Sequence, residues 1–245
     1  MRKFLFFCGP LACFLLGTFL FAACDSGDII ERVSNVEDTH TRVVKLTADI
    51  SGLDNLPAKY SLSLAAFKPN EKYALKVQSI AEDGPRTVVM INEDKEVSTV
   101  ELAITDRLRH RVLTLASVDY AGAAENIDTI RLDVGSIDVS HFSCLQHAVL
   151  DRACIQCHGG NGRTAGGLDL TDGKALSQLV AQPSMAKEGA TRVIAGDAEN
   201  SLLHQILHDG GENVLHYNHV EVLSSHFKEN LEEVKKFIDD WINGL

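Results

Sequence analysis

Val43-Val44-Lys45-Leu46-Thr47-Ala48-Asp49-Ile50 alternates: Val44, Leu46, Ala48 and Ile50 are apolar, and Lys45, Thr47 and Asp49 are polar. Successive side chains of an extended chain point to opposite faces, so period two marks a half-buried strand. Tyr60, Leu62 and Leu64 repeat the pattern around Ser61 and Ser63, as do Tyr73, Leu75 and Val77 around Ala74 and Lys76. Val100, Leu102 and Ile104 continue it, then Ile130, Leu132 and Val134, and residues 86–91 and 111–118 are further apolar β-branched runs. The breaks are turn formers: Ser51-Gly52, Lys68-Pro69-Asn70, Asp83-Gly84-Pro85 and Asn92-Glu93-Asp94. About seven short strands so spaced predict an all-β sandwich, Ig-like in architecture, over residues 43–139. It lacks a cysteine pair, so no disulfide staples it. Its one histidine, His110, stands between Arg109 and Arg111 and reads as part of a solvated face. Nothing in this half specifies a ligand, which leaves it a spacer or docking module.

From about Ser140 the period changes. Phe142, Leu145 and Val149 recur at helical spacing, and further helices fall near 173–182 and 200–208. Leu231, Val234, Ile238, Trp241 and Ile242 share one face of a last helix near 226–243. A period near 3.6 predicts a second, all-α domain over residues 140–245.

Within that stretch Cys154-Ile155-Gln156-Cys157-His158 has the spacing C-x-x-C-H, the signature of covalent haem attachment. Two thiols three apart on one helical turn reach the two vinyl groups of a porphyrin, and the adjoining imidazole meets the iron. A structural zinc site needs four ligands, usually two such pairs, and one pair is present. A thioredoxin-type pair belongs in a βαβ unit, which is not seen here. A plain disulfide leaves His158 and the glycines at 159, 160, 162, 166 and 167 unexplained. One haem c, held by Cys154 and Cys157 with His158 as proximal iron ligand, is the expected cofactor. Cys144 is then a leftover thiol, expected to pack on the first helix.

Around this motif the chain resembles the cytochrome c domain family of exported bacterial proteins, including planctomycete-type ones. The pieces are Cys154-Ile155-Gln156-Cys157-His158-Gly159, Ala165-Gly166-Gly167-Leu168-Asp169-Leu170, Arg192-Val193-Ile194-Ala195-Gly196-Asp197, Asn200-Ser201-Leu202-Leu203 and Trp241-Ile242. The family reads CxxCHG, GGLxL, RVxPGD, NSLL and WI, so Ala195 replaces a proline. The resemblance covers residues 142–245 and implies a mono-haem, all-α cytochrome c-like domain. In that family a Met-Pro follows the NSLL helix. This chain has no methionine after Met185 and instead reads Val214-Leu215-His216-Tyr217-Asn218-His219-Val220 there. The distal iron ligand is therefore expected to be His219 first and His216 second, with His226 and Met185 behind them. His204 and His208 stand four apart on one helix, a spacing that could suit a metal but more often marks a partly exposed, solvated pair.

The N-terminus reads as an address. Met1-Arg2-Lys3 precedes the uncharged residues 4–23, and Ala22-Ala23 stand before Cys24. This is a secretory signal pattern with a small-residue processing site. Phe21-Ala22-Ala23-Cys24 resembles a bacterial lipobox, which implies a lipid on Cys24 and anchoring in the cell envelope. Residues 24–42 then form an acidic tether. Without residues 1–23 the chain carries 21 basic and 34 acidic side chains. That balance leaves phosphates unneutralised and argues against nucleic acid, while it suits basic redox partners.

The expected function is one-electron transfer between redox partners in the cell envelope, with no catalytic side chain. Two alternatives stand beside it: a haem-based sensor or peroxidase-like enzyme with an open axial site, and a surface lipoprotein whose β-domain recognises a glycan or protein.

Overall fold

β1 (Arg42–Ser51) buries Val44, Leu46, Ala48 and Ile50, the four residues its alternation points inward. It lies between two strands, antiparallel to β4 (Gly84–Asn92) and parallel to β7 (Thr129–Asp138). A second sheet runs β3 (Ala74–Ile80), β2 (Tyr60–Phe67), β5 (Thr99–Asp106), β6 (Arg111–Asp119), antiparallel throughout. The computed structural model describes residues 41–124, 126–210 and 217–245. The expected signal peptide 1–23, the lipid-bearing Cys24, nearly all of the tether and His216 lie outside the described residues. No described helix is long and apolar enough to cross a membrane.

The inner faces of both sheets share one core, with Leu46, Leu62, Leu64, Leu102, Ile104 and Leu113 fully buried. On the outer face of β2, Phe67 lies under the Arg111 guanidinium, 4.0 Å from the ring centre. Arg111 is held there by Glu101, itself buried. β3 and β4 are sheet edges, and their apolar Leu75, Val89 and Ile91 stay exposed, as does Tyr73 beside β3. Period two alone had marked Tyr73 and Leu75 as inward-facing. His110 is buried rather than solvated: its Nδ1 lies 2.8 Å from Asp106 and its ring packs 4.2 Å from Tyr73. The turn that brings it inward depends on Arg109, which has φ 63°.

The expected architecture, an Ig-like sandwich joined to a separate all-α domain, is overturned on both counts. Immunoglobulin sheets are antiparallel with strands A, B, E and D in one and C, F and G in the other; the parallel β1–β7 pair and the order β3-β2-β5-β6 depart from that. The C-terminal stretch is a mixture of elements. Helix α1 (His141–Leu145) runs into a π-helical stretch (Gln146–Cys154) and then α2 (Ile155–His158). A two-stranded ribbon follows, β8 (Gly159–Gly160) with β9 (Arg163–Thr164). α3 (Ala175–Leu179), α4 (Leu202–Asp209), α5 (His219–His226) and α6 (Leu231–Asn243) are separated by loops that pair through single β-bridges such as Val180–Val193.

Nor is this stretch independent. Residues 40–245 form one compact unit, and the core runs from the sheets into Leu145, Val149, Phe237 and Trp241. The seam is polar as well as apolar. His147 Nε2 and the Arg152 guanidinium both lie 3.1 Å from the Leu115 carbonyl of β6. The buried Asn230 amide donates to the Val112 carbonyl at 2.8 Å, and Tyr60 meets Asp240 of α6 through its hydroxyl.

Candidate functional site

Cys154 ends the π-helical stretch and Cys157 lies in α2, so the two thiols sit within a single turn of one helical run. Cys154 is half-buried and Cys157 exposed. Burial, reinforced by Cys157 and Asp151 nearby, pushes the Cys154 thiol up to about 12. A thiol so held is protonated at neutral pH, unlike the low-pKa thiolate of a redox enzyme. His158 closes α2, and the chain must then turn sharply. A Cβ on Gly159 would stand 2.2 Å from the Ile155 carbonyl oxygen, which excludes any side chain at that position.

The turn carries the following loop back over His158. His158 Nδ1 donates to the Ala165 carbonyl at 2.9 Å, which fixes the tautomer and leaves Nε2 as the free nitrogen. Arg192 holds that loop in place. Its guanidinium donates to the Gln178 carbonyl at 2.8 Å and the Gly166 carbonyl at 3.2 Å. Gly166 and Gly167 both have positive φ, 62° and 64°, a conformation that other residues rarely adopt. The Arg192 to Asp197 segment is itself knitted to α6, with the Gly196 amide donating to the Ile242 carbonyl at 2.9 Å.

From the other side comes His219, the first residue of α5. The Asn218 side chain caps this helix by accepting from the Glu221 amide at 3.0 Å, and the His219 amide donates to the Gly210 carbonyl. The His158 and His219 rings face each other with centres 6.4 Å apart and planes 18° from parallel. Tyr217 meets the His219 ring edge-on at 5.5 Å. Burial lowers both histidines below the ordinary imidazole range, although backbone carbonyls near each ring pull the other way. Both are thus held neutral, the form that ligates metals. His219 Nδ1 is buried with no well-formed hydrogen bond.

Both rings line a cavity of about 390 Å³. Its walls are Leu145, Val149 and Ala153 of the helical run, Leu168 and Leu170 of the loop, Leu203, Ile206 and Leu207 of α4, Leu223 of α5 and Ile238 of α6. Among the described residues, Cys154, Cys157, His158 and His219 are the thiol and imidazole groups on its surface. This donor set fits an iron porphyrin. A metal held between two imidazoles by bonds of about 2.0–2.1 Å, the length zinc makes to nitrogen, puts the ring centres roughly 6 Å apart. The apolar walls suit the faces of a macrocycle, and the paired cysteines line the same cavity.

The other residues singled out from the sequence go elsewhere. His226 is exposed, with Nδ1 on Ser225 and the Val222 carbonyl, and is not part of the cavity wall. Met185 is 77 % exposed. Cys144 is fully buried, its thiol pushed up to about 12 by burial and donating to the Val139 carbonyl. Sequence reasoning missed helix α5, whose start was legible in Asn218 and Glu221, a cap and its third helical residue. It also missed Arg192 as the clamp on the glycine loop and Asp239 as a partner of His204 and His208. No family model, curated protein or solved structure matches the chain.

Proposed function

We propose that the chain is an envelope-anchored c-type cytochrome that moves single electrons between redox proteins. The observation that carries this is that His158, His219, Cys154 and Cys157 line one apolar cavity, the two rings 6.4 Å apart. When bound, haem c supplies one-electron iron chemistry. Cys154 and Cys157 would hold the porphyrin through thioethers. His158 would present Nε2 to the iron, its basicity raised because Nδ1 donates to the Ala165 carbonyl. His219 would take the opposite side. Arg192 and the glycine loop keep His158 in place, and the leucine walls exclude water. Two imidazoles favour ferric iron more than an imidazole and a thioether do, so the potential lies below that of a Met-ligated cytochrome. The signal-like residues 1–23 and the lipobox-like Cys24 support export, which brings the chain to basic partners outside the cytoplasm.

The test is a pyridine haemochrome assay on the full chain, made in cells able to attach haem c. One haem per chain that survives denaturation is expected, with the pigment lost in Cys157→Ala. His219→Ala should convert a six-coordinate spectrum to a five-coordinate one and admit carbon monoxide rapidly. Absence of haem would refute the reading. Fast carbon monoxide binding by the unaltered protein would instead point to an open axial site and a sensor or enzyme.

A further inference from the structure

Helix α4 serves two faces. Leu203, Ile206 and Leu207 wall the cavity, while His204 and His208, one turn apart, are not among its lining residues. Their rings stack 4.0 Å apart and 23° from parallel. Asp239 of α6 reaches both: Oδ1 lies 2.8 Å from His204 Nδ1 and Oδ2 lies 3.1 Å from His208 Nε2. The three donors lie within 4.8 Å of one another. Their side chains are 22 %, 31 % and 20 % exposed, so the group is anchored yet open to solvent.

We propose that His204, His208 and Asp239 form a second metal site, for a divalent ion of the zinc class. Two imidazoles and a carboxylate are a donor set that zinc takes, with water in the fourth position. Calcium and magnesium demand more oxygen ligands than one carboxylate offers, and copper(I) prefers thiolate or thioether sulfur. Tetrahedral bonds of the usual length hold donors roughly 3.3–3.5 Å apart, so the two contacts to Asp239 would open by about 0.2–0.7 Å. Each neutral ring has one proton. With its inner nitrogen on the metal, that proton passes through solvent to the outer nitrogen, and no redox partner is required. Asp239 stands 35 residues from His204 and 31 from His208, so the ion would tie α4 to α6 across the chain. This site does not depend on haem in the cavity.

The experiment is a zinc titration of the untagged, chelator-stripped full chain by calorimetry, with thermal melts alongside. One zinc per chain at micromolar affinity is expected, together with a raised melting temperature. Asp239→Asn and His208→Ala should each weaken binding about tenfold or more, with far-ultraviolet dichroism and any haem spectrum unchanged. His204→Gln is the further variant should one of these fail to fold, and His226→Ala should leave affinity intact. Binding only at millimolar zinc, or equal affinity in all variants, overturns the proposal and leaves an ion pair alone.

Discussion

The two halves of the molecule build their interiors differently. In the strand half each buried side chain finds another side chain, and Leu46, Leu64, Leu102 and Leu113 meet across the two sheets with no exposure. In the helical half, the helical run 141–158 and helices of 5, 8 and 8 residues surround a cavity with the 13-residue α6. Helices so short are marginal by themselves. They are held by the seam to β6. One half fills its interior with side chains, and the other keeps an apolar cavity.

Truncating a leucine in each half sharpens that contrast. Leu102→Ala, at the centre of the four-stranded sheet, should cost about 2–5 kcal/mol in urea unfolding, since a void would open in close packing. Leu223→Ala, in the cavity wall, should cost clearly less in haem-free protein, because one side of Leu223 already faces open space. Equal losses would mean that the cavity closes in solution and that the contrast is wrong.

Asn230 tests the seam. Its buried amide bonds the Val112 carbonyl, so Asn230→Ala leaves that carbonyl unpaired and should cost about 1–3 kcal/mol. If the halves fold as one unit, the melt stays a single transition, shifted down. Separate transitions by strand and helix probes would show that the halves are independent after all.

The smallest effect concerns acid. Burial lowers His141, packed 4.3 Å from Phe237, below its unfolded value. The unfolded chain therefore takes up the proton first, and this contribution is full above about pH 6.5 and is lost as pH falls through the folded value. Asp169 is held down to about 2 by Lys174 and then by Thr171. Its contribution is full above about pH 4 and disappears toward pH 2. At pH 5 only the His141 contribution has begun to go, and His141 belongs to the helical half, so hydrogen exchange there should open helices before strands, with Asp169 adding to the loss below about pH 4. Strands opening first would reverse the assignment.

The strands were legible because seven runs alternate plainly and turn formers separate them. Their pairing was not legible, since period two says which face is buried and nothing about neighbours; hence Leu75 on an edge strand reads as core. Of the candidate site, Cys154, Cys157 and His158 could be picked out because chemistry and spacing coincide there. Locating His219 needed the downstream pattern as well. α5 was hidden because eight mixed residues carry little periodicity, and only its cap marks it. Asp239 was invisible, being one acid among several on the polar face of α6, joined to His204 only by the fold.

The parallel pairing of β1 with β7 has a consequence for the order of folding. A chain emerging from its N-terminus can join β1 to β4 early, but β7 lies farther along: Thr47 meets Asp133 across 86 residues. One edge of β1 stays open until then, and such non-local closure is slow. The segment bearing Cys154 and Cys157 follows β7 and docks on the sheet that β6 completes. Most of the cavity wall, from Leu168 of the loop to Ile238 of α6, lies after both thiols in the chain.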